Sequence, residues 1–352
     1  MSEEEVETPG WSAIDSALTP VYGDGEPPFH YGTVYPHSLG GPDPIDGISV
    51  YRSNAFAGHW HFVTYGFSEL YAKENDDPDV SGFGFELTFR VARGGEESPP
   101  PWAINFLQNL GRYVFKSGNR FSIGDHMNAN SPLKADEATS AIRAFICVPD
   151  PQLPESIDTP NGRVDFVQVF GITLNELEAV KRWSSTSFAE LAAQHVPGLV
   201  TSLDRKSLLN DRAFAAAVEA GIARDGSTTG VIYGSKVDWK IDRGLFRKPS
   251  LVITLSATAA AELVAILPGR IGHGREFILG GEEKGITFTP GDAMSHAHDD
   301  SLLTLTITAA QATRIAETVK PLRGKYEVDG IRFVIEPSAI REQDGTIREW
   351  VG

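Results

Sequence analysis

From Phe83 to Val91 the chain alternates. Phe83, Phe85, Leu87, Phe89 and Val91 are apolar, and Gly84, Glu86, Thr88 and Arg90 stand between them. A period of two with one apolar face predicts a half-buried strand. "ISVYRS" and "HWHFVTY" read as strands before it, "AIRAFICV" and "GRVDFVQVFGIT" as strands after it. The last is apolar on both faces near Phe166 and Phe170, as a central strand is. In "PPPWAINFLQNLGRYVFKSGN", Ala103, Phe106, Leu107, Leu110, Tyr113 and Val114 recur three and four apart, with prolines only at the entrance. That spacing predicts an amphipathic helix. A shorter helix is predicted over 11–18, stopped by Pro20. Thr173 and Glu176 predict a capping box opening "LNELEAVKRW". Asn210 is the expected cap of a helix on which Phe214, Val218 and Ile222 line up.

The second half has a different texture. "LVITLSATAAAELVAILPGR" and "LTLTITAAQATRIAETVKPLR" match at an offset of 52, Thr254 with Thr306, Ser256 with Thr308, Ala257 with Ala309 and Leu263 with Ile315. Each reads as a strand, a hydroxyl cap and a helix. "REFIL", "GITFT" and "IRFVIEP" add strands. The fold class is therefore α+β in two domains, each a mixed or antiparallel sheet with packed helices. The expected division is an acidic leader without structure at 1–10, a first domain at 11–224, a polar link at 225–230 within "RDGSTTG", and a second domain at 231–352.

Composition narrows the function. The chain has 352 residues, 41% hydrophobic, enough for a substantial core, and a formal charge of −16. Such a surface repels phosphate backbones and anionic membranes and attracts a basic partner. A single cysteine, Cys147, forms no internal disulfide. No apolar run approaches a membrane span, and "MSEEEVETPG" is acidic where a signal peptide is basic. The expected setting is the cytoplasm.

Candidate chemistry is sparse. His59 and His61 lie two apart on a strand and so share a face, where one ion could meet both. Zinc takes three or four ligands, and no cysteine pair or HExxH supplies the rest. "SHAHDD" repeats the spacing with His296 and His298 beside Asp299 and Asp300, and reads as a loop. A metal-dependent hydrolase on either pair is the alternative to a binding protein. "SGFGFE" runs into a strand, so its glycines predict close approach of another segment, not phosphate binding. Asp125 and His126 in "GDHMN" could form half of an acid–base pair, but no nucleophile motif accompanies them, and Cys147 sits in an apolar strand.

Taken in order, "LGGPDPIDGISVYRS", "HWHFVTYGFSELY", "SGFGFELTFR", "PPPWAINFLQNLGRYVF", "FSIGDH", "GRVDFVQVFGIT" and "NELEAVKRW" resemble the Suppressor of fused family. The chain is without the long insert of the animal second domain, which resembles a compact bacterial member. The resemblance implies two domains, no catalysis, no cofactor and no metal. It implies a protein partner whose extended segment is clamped by strand addition, as the animal protein holds Gli-type factors. The partner-contact positions it implies are Tyr113, Asp125, His126 and Asp150 in the first domain, and Tyr233, Ser235 and His273 in the second. Bacterial relatives are suspected immunity proteins, which makes a toxin one expected partner.

Overall fold

The computed structural model describes residues 7–33, 35, 37, 40–243, 250–341 and 346–352. It divides into two compact units, unit 1 being Met1–Leu177 with Ser185–Ala215 and unit 2 being Glu178–Ser184 with Ala216–Gly352. Of the expected leader, residues 1–6 lie outside the described residues.

Unit 1 is built on an eight-stranded sheet. Its strands are β1 (Phe29–Gly32), β2 (Gly47–Ser53), β3 (His59–Tyr65), β4 (Val80–Ala92), β5 (His126–Asn128), β6 (Ile142–Pro149), β7 (Ser156–Thr159) and β8 (Gly162–Thr173). The order is β1-β2-β3-β4-β8-β6-β5, with β7 also pairing β8. Only β4 and β8 run parallel. Helix α2 (Pro101–Ser117) lays Phe106, Leu107 and Leu110 on one face of the sheet, against Phe62, Phe89, Phe145 and Val169. Helix α1 (Pro9–Tyr22) covers the other face, with Ile14 and Leu18 against Tyr51, Val63, Tyr65 and Phe166. Helices α3 (Leu174–Arg182), α4 (Ser185–Ala193) and α5 (Arg212–Asp225) follow β8.

Several expectations need correcting. Helix α1 runs on through Pro20 to Tyr22. Near the helix end a proline forfeits only one main-chain bond, and Gly23 closes the turn with its N–H on the Thr19 carbonyl at 2.8 Å. The cap of α5 is Asp211, not Asn210, because Asp211 Oδ1 accepts from the N–H groups of Ala213 and Phe214 at 2.8 and 2.9 Å. The Thr173 box is half formed. Glu176 Oε2 accepts from the Thr173 N–H at 2.8 Å, while the Thr173 hydroxyl donates to Asn175 Oδ1. Most consequential, β4 is not half-buried: Glu86, Thr88 and Arg90, its polar positions, are fully buried.

Gly82 bears out the close-approach reading. Its φ is +57°, and a Cβ there would stand 2.7 Å from the Phe67 carbonyl oxygen, to which Phe83 N–H donates.

Unit 2 holds two further sheets and a hairpin. One sheet is β10 (Val237–Asp242), β11 (Ser250–Ser256), β17 (Ile331–Glu336) and β16 (Gly324–Val328) in that order. The other runs β14 (Ser295–His298), β15 (Leu302–Ile307), β13 (Gly285–Pro290), β12 (Phe277–Gly280), β9 (Val231–Tyr233). Both share one core with α6 (Ala257–Ile271) and α7 (Ala309–Thr318), in which Ile253, Leu263, Leu279, Phe288, Leu305 and Phe333 meet. Strands β18 (Ser338–Arg341) and β19 (Ile347–Val351) form the hairpin. The repeated strand–cap–helix unit is real at the level of local structure. Ser256 opens α6 by accepting from the Ala259 N–H, and Thr308 opens α7 with a full capping box to Gln311. Ser256→Ala should therefore lower unit 2 stability by about 1 kcal/mol in urea denaturation. The first four residues of "SHAHDD" are corrected from a loop to edge strand β14, exposed and paired antiparallel with β15, while Asp299 and Asp300 lie past its end.

Candidate functional site

Each unit ends one sheet in a short edge strand, and of the implied contact residues Asp125, His126, Tyr233 and Ser235 lie in or next to these strands. In unit 1, β5 is the last strand, paired only with β6 among the described strands. The Asp125 carbonyl accepts from Cys147 N–H at 2.8 Å, and Ala129 N–H donates to the Arg143 carbonyl at 2.9 Å. Alternation then places the main chain of Met127 on β6 and turns that of Asn128 to the opposite side. Tyr113 reaches this corner from α2. Its ring lies 5.6 Å from that of Phe121, and its hydroxyl accepts from Asn119 Nδ2 at 3.2 Å. Asp125 Oδ2 accepts from the Ser122 N–H at 2.7 Å, which closes the turn that delivers the chain to β5. Burial pushes the Asp125 carboxyl above its ordinary value, with Ser122 and the Arg120 charge pulling the other way. His126 Nδ1 lies 3.3 Å from Ser185 Oγ.

In unit 2 the corresponding strand is β9, parallel to β12 and at the end of its sheet. The Gly230 carbonyl accepts from Ile278 N–H and Gly234 N–H donates to the Gly280 carbonyl, both at 2.9 Å. Residues of that parity face β12, so Val231 and Tyr233 turn their N–H and C=O outward. The Tyr233 side chain is 81% exposed. It crosses Gly280, where a Cβ would stand 2.6 Å from the ring. Ser235 is exposed in the bend that follows. His273 is elsewhere in unit 2. Its Nδ1 and Nε2 face the carbonyls of Gly269 and Ala223 at 2.9 and 3.3 Å. The 225–230 segment beside it is fastened within unit 2. Ser227 Oγ donates to the Lys181 carbonyl at 2.6 Å and Thr228 N–H to the Trp183 carbonyl at 2.7 Å.

Asp150 is not at either edge. It sits just past β6 at the centre of a polar cluster sealed between the sheet and α1. Asp150 Oδ1 accepts from Arg90 Nη2 at 2.7 Å and from the N–H groups of Gln152 and Leu153 at 2.9 and 3.0 Å. Its Oδ2 takes Thr88 Oγ1 at 2.8 Å and His61 Nε2 at 3.0 Å. Burial alone would raise this carboxyl, but His61, Arg90 and Gln152 hold it well below the usual carboxylate range. The expectation that Asp150 meets a partner is therefore revised, because its side chain has no exposed surface.

The two strand histidines belong to the same cluster. An ionised Asp150 requires His61 Nε2 to donate, so Nδ1 accepts from the Tyr22 hydroxyl at 2.7 Å. His59 Nδ1 donates to the Ala57 carbonyl at 2.7 Å, and its Nε2 accepts from Arg90 Nη1 at 2.9 Å. Both rings are neutral, since Arg90 already balances Asp150. Burial lowers His61 and takes His59 down to about 4. Among the described residues, no group of three or more His, Cys, Asp or Glu side chains is placed to hold a metal ion.

Glu86 anchors a second buried cluster. It accepts from Thr64 Oγ1 at 2.6 Å, Ser68 Oγ at 2.7 Å, and the N–H groups of Gly66 and Ser68, both at 2.9 Å. Burial outweighs these four bonds and raises it to about 7. Sequence reasoning passed over Glu86, Thr88, Arg90 and Gln168, although two histidines on the neighbouring strand were a sign that this face is polar inside.

The fold defines the chain as an α+β protein of two units, each closing one sheet with a short edge strand. Residues 41–206 match the family model described as Suppressor of fused protein. The chain is 36% identical over 237 residues to the Suppressor of fused homologs of Homo sapiens and Mus musculus. Those matches take in 62% of this chain and 48% of each relative, so it spans about half the length of the curated relatives it matches. The crystal structure of Drosophila Suppressor of Fused shares the fold with a TM-score of 0.80 at 23% identity, over 96% of this chain and 99% of that one. A chain of the Sufu–Fu complex crystal structure aligns with a TM-score of 0.56 at 31% identity, over 61% of this chain and 98% of its own length. The chain belongs to the Suppressor of fused family. No described helix is long and apolar enough to cross a membrane.

Proposed function

We propose that this chain is a non-catalytic protein-binding protein that takes an extended segment of a partner by strand addition. Strand β5 of unit 1 and strand β9 of unit 2 supply the main-chain bonds. Tyr113, Asp125 and His126 on one unit, and Tyr233 and Ser235 on the other, read the partner's side chains. Strand addition to β5 and β9 is the clamp that the family resemblance implies. The observation that carries this reading is β9, which pairs only with β12 among the described strands and leaves Tyr233 81% exposed. The Sufu–Fu complex, whose chain shares part of this fold, supports a protein partner.

The proposed setting is a reducing cytoplasm, in which buried Cys147 stays a thiol. A net charge of −16 favours a basic partner, such as the toxin that a bacterial immunity protein would neutralise. Co-expression with a toxin encoded beside it should then rescue growth. Continued killing would leave strand addition standing and remove the immunity role.

Tyr233→Pro tests the strand reading. It removes an outward N–H while leaving the β12 ladder intact. Partner retained by the wild-type chain from a host lysate, quantified by mass spectrometry, should fall about tenfold or more, with an unchanged melting curve. Undiminished retention would count against β9.

A further inference from the structure

We propose that a groove in unit 1, separate from the strand edges, binds a basic, partly apolar segment of a partner protein. The inference rests on the protein-binding reading and adds a second surface with its own chemistry. The groove has a volume of about 980 Å³ and opens at the start of α2. Val91, Trp102, Phe106 and Leu133 give it an apolar lining.

Its charge is lopsided. Four carboxylates line it, from Glu96, Asp136, Glu137 and Asp204, against two basic groups, Arg93 and Lys134. Lys134 is already engaged with Glu137 at 3.0 Å. Asp136 and Asp204 are exposed. A cationic side chain therefore finds acceptors at the rim, and an aliphatic one finds the lining.

A second observation is independent of charge. Trp60 also lines the groove, is 1% exposed, and its Nε1–H has no hydrogen-bond partner. Buried donors are nearly always satisfied, and one that is not calls for an explanation. The Arg93 guanidinium lies 5.7 Å above the Trp60 ring, and its own Nε is unpartnered as well. A peptide carbonyl that enters as Arg93 swings aside is the acceptor the indole lacks.

The test uses the full chain and a fluorescein-labelled nonapeptide of alternating lysine and leucine, with a glutamate–leucine peptide as the opposite charge. The lysine peptide should bind and the glutamate peptide should not. Asp136→Lys with Asp204→Lys should weaken binding about tenfold or more. The same charge change at Asp300→Lys and Glu317→Lys, both exposed in unit 2, should weaken it less than about threefold. The Trp60 indole N–H resonance should shift on binding. Equal losses from the two charge reversals, equal binding of both peptides, or an unmoved indole resonance would overturn the proposal. Tyr233→Pro should leave this binding unchanged, so failure here is distinct from failure of strand addition.

Discussion

Replacing Asp150 with alanine is expected to lower the stability of the chain by about 3–5 kcal/mol, read as the shift in urea denaturation. Among the described residues the carboxylate is the only anion bonded to Arg90, and both side chains are fully buried. Its loss strands a buried guanidinium and withdraws the acceptor from Thr88, His61 and two main-chain N–H groups. Arg90→Met combined with Asp150→Leu should recover part of the loss, since apolar residues of similar volume need no counter-charge. A partner contact at Asp150 predicts the reverse, a loss of binding with stability within about 0.5 kcal/mol of wild type.

The second large effect is a pH dependence that Glu86 partly offsets in the wild-type chain. His59 is held at about 4 against an ordinary 6.5. As pH falls through that window the unfolded chain takes the proton first, so the folded state loses roughly 3 kcal/mol. His61 acts in the same direction. Glu86 is raised to about 7 from 4.5, so over nearly the same descent the folded state takes a proton first and gains a similar amount. The two oppose each other. Glu86→Gln removes the gain while keeping an acceptor for Gly66 and Ser68, and its stability should fall by about 3 kcal/mol between pH 6.5 and pH 4. Asp150, held low, adds its own loss only below about pH 4. A Glu86→Gln chain that loses no more stability than wild type between those values would contradict the assignment.

The fold was largely legible because its elements obey simple periods. The helix of Phe106 and Leu110, the strand of Phe166 and the paired hydroxyl caps at Ser256 and Thr308 are each dictated by local spacing. The polar interior was not legible. Alternation in β4 records that two faces differ, but it cannot say whether the polar face meets water or another polar layer. Arg90 is inside because residues beyond β6 bring Asp150 and Gln152, and Glu86 is inside because the chain leaving β3 brings Gly66 and Ser68. Short edge strands such as β5 and β14 carry too few residues for a period to show. The contact positions came from family resemblance, and physics sorts them afterwards. Tyr113, Asp125 and Tyr233 stand at sheet edges, His273 fastens a turn, and Asp150 is structural.

Residue-resolved amide hydrogen exchange, with and without a partner captured from the host, bears most directly on strand addition. Binding should slow exchange at the outward amides of Asn128 and Tyr233 by at least about tenfold while Met127 and Ile232, already paired inward, change little. Protection confined to helix surfaces, with Asn128 and Tyr233 exchanging as before, would contradict the account.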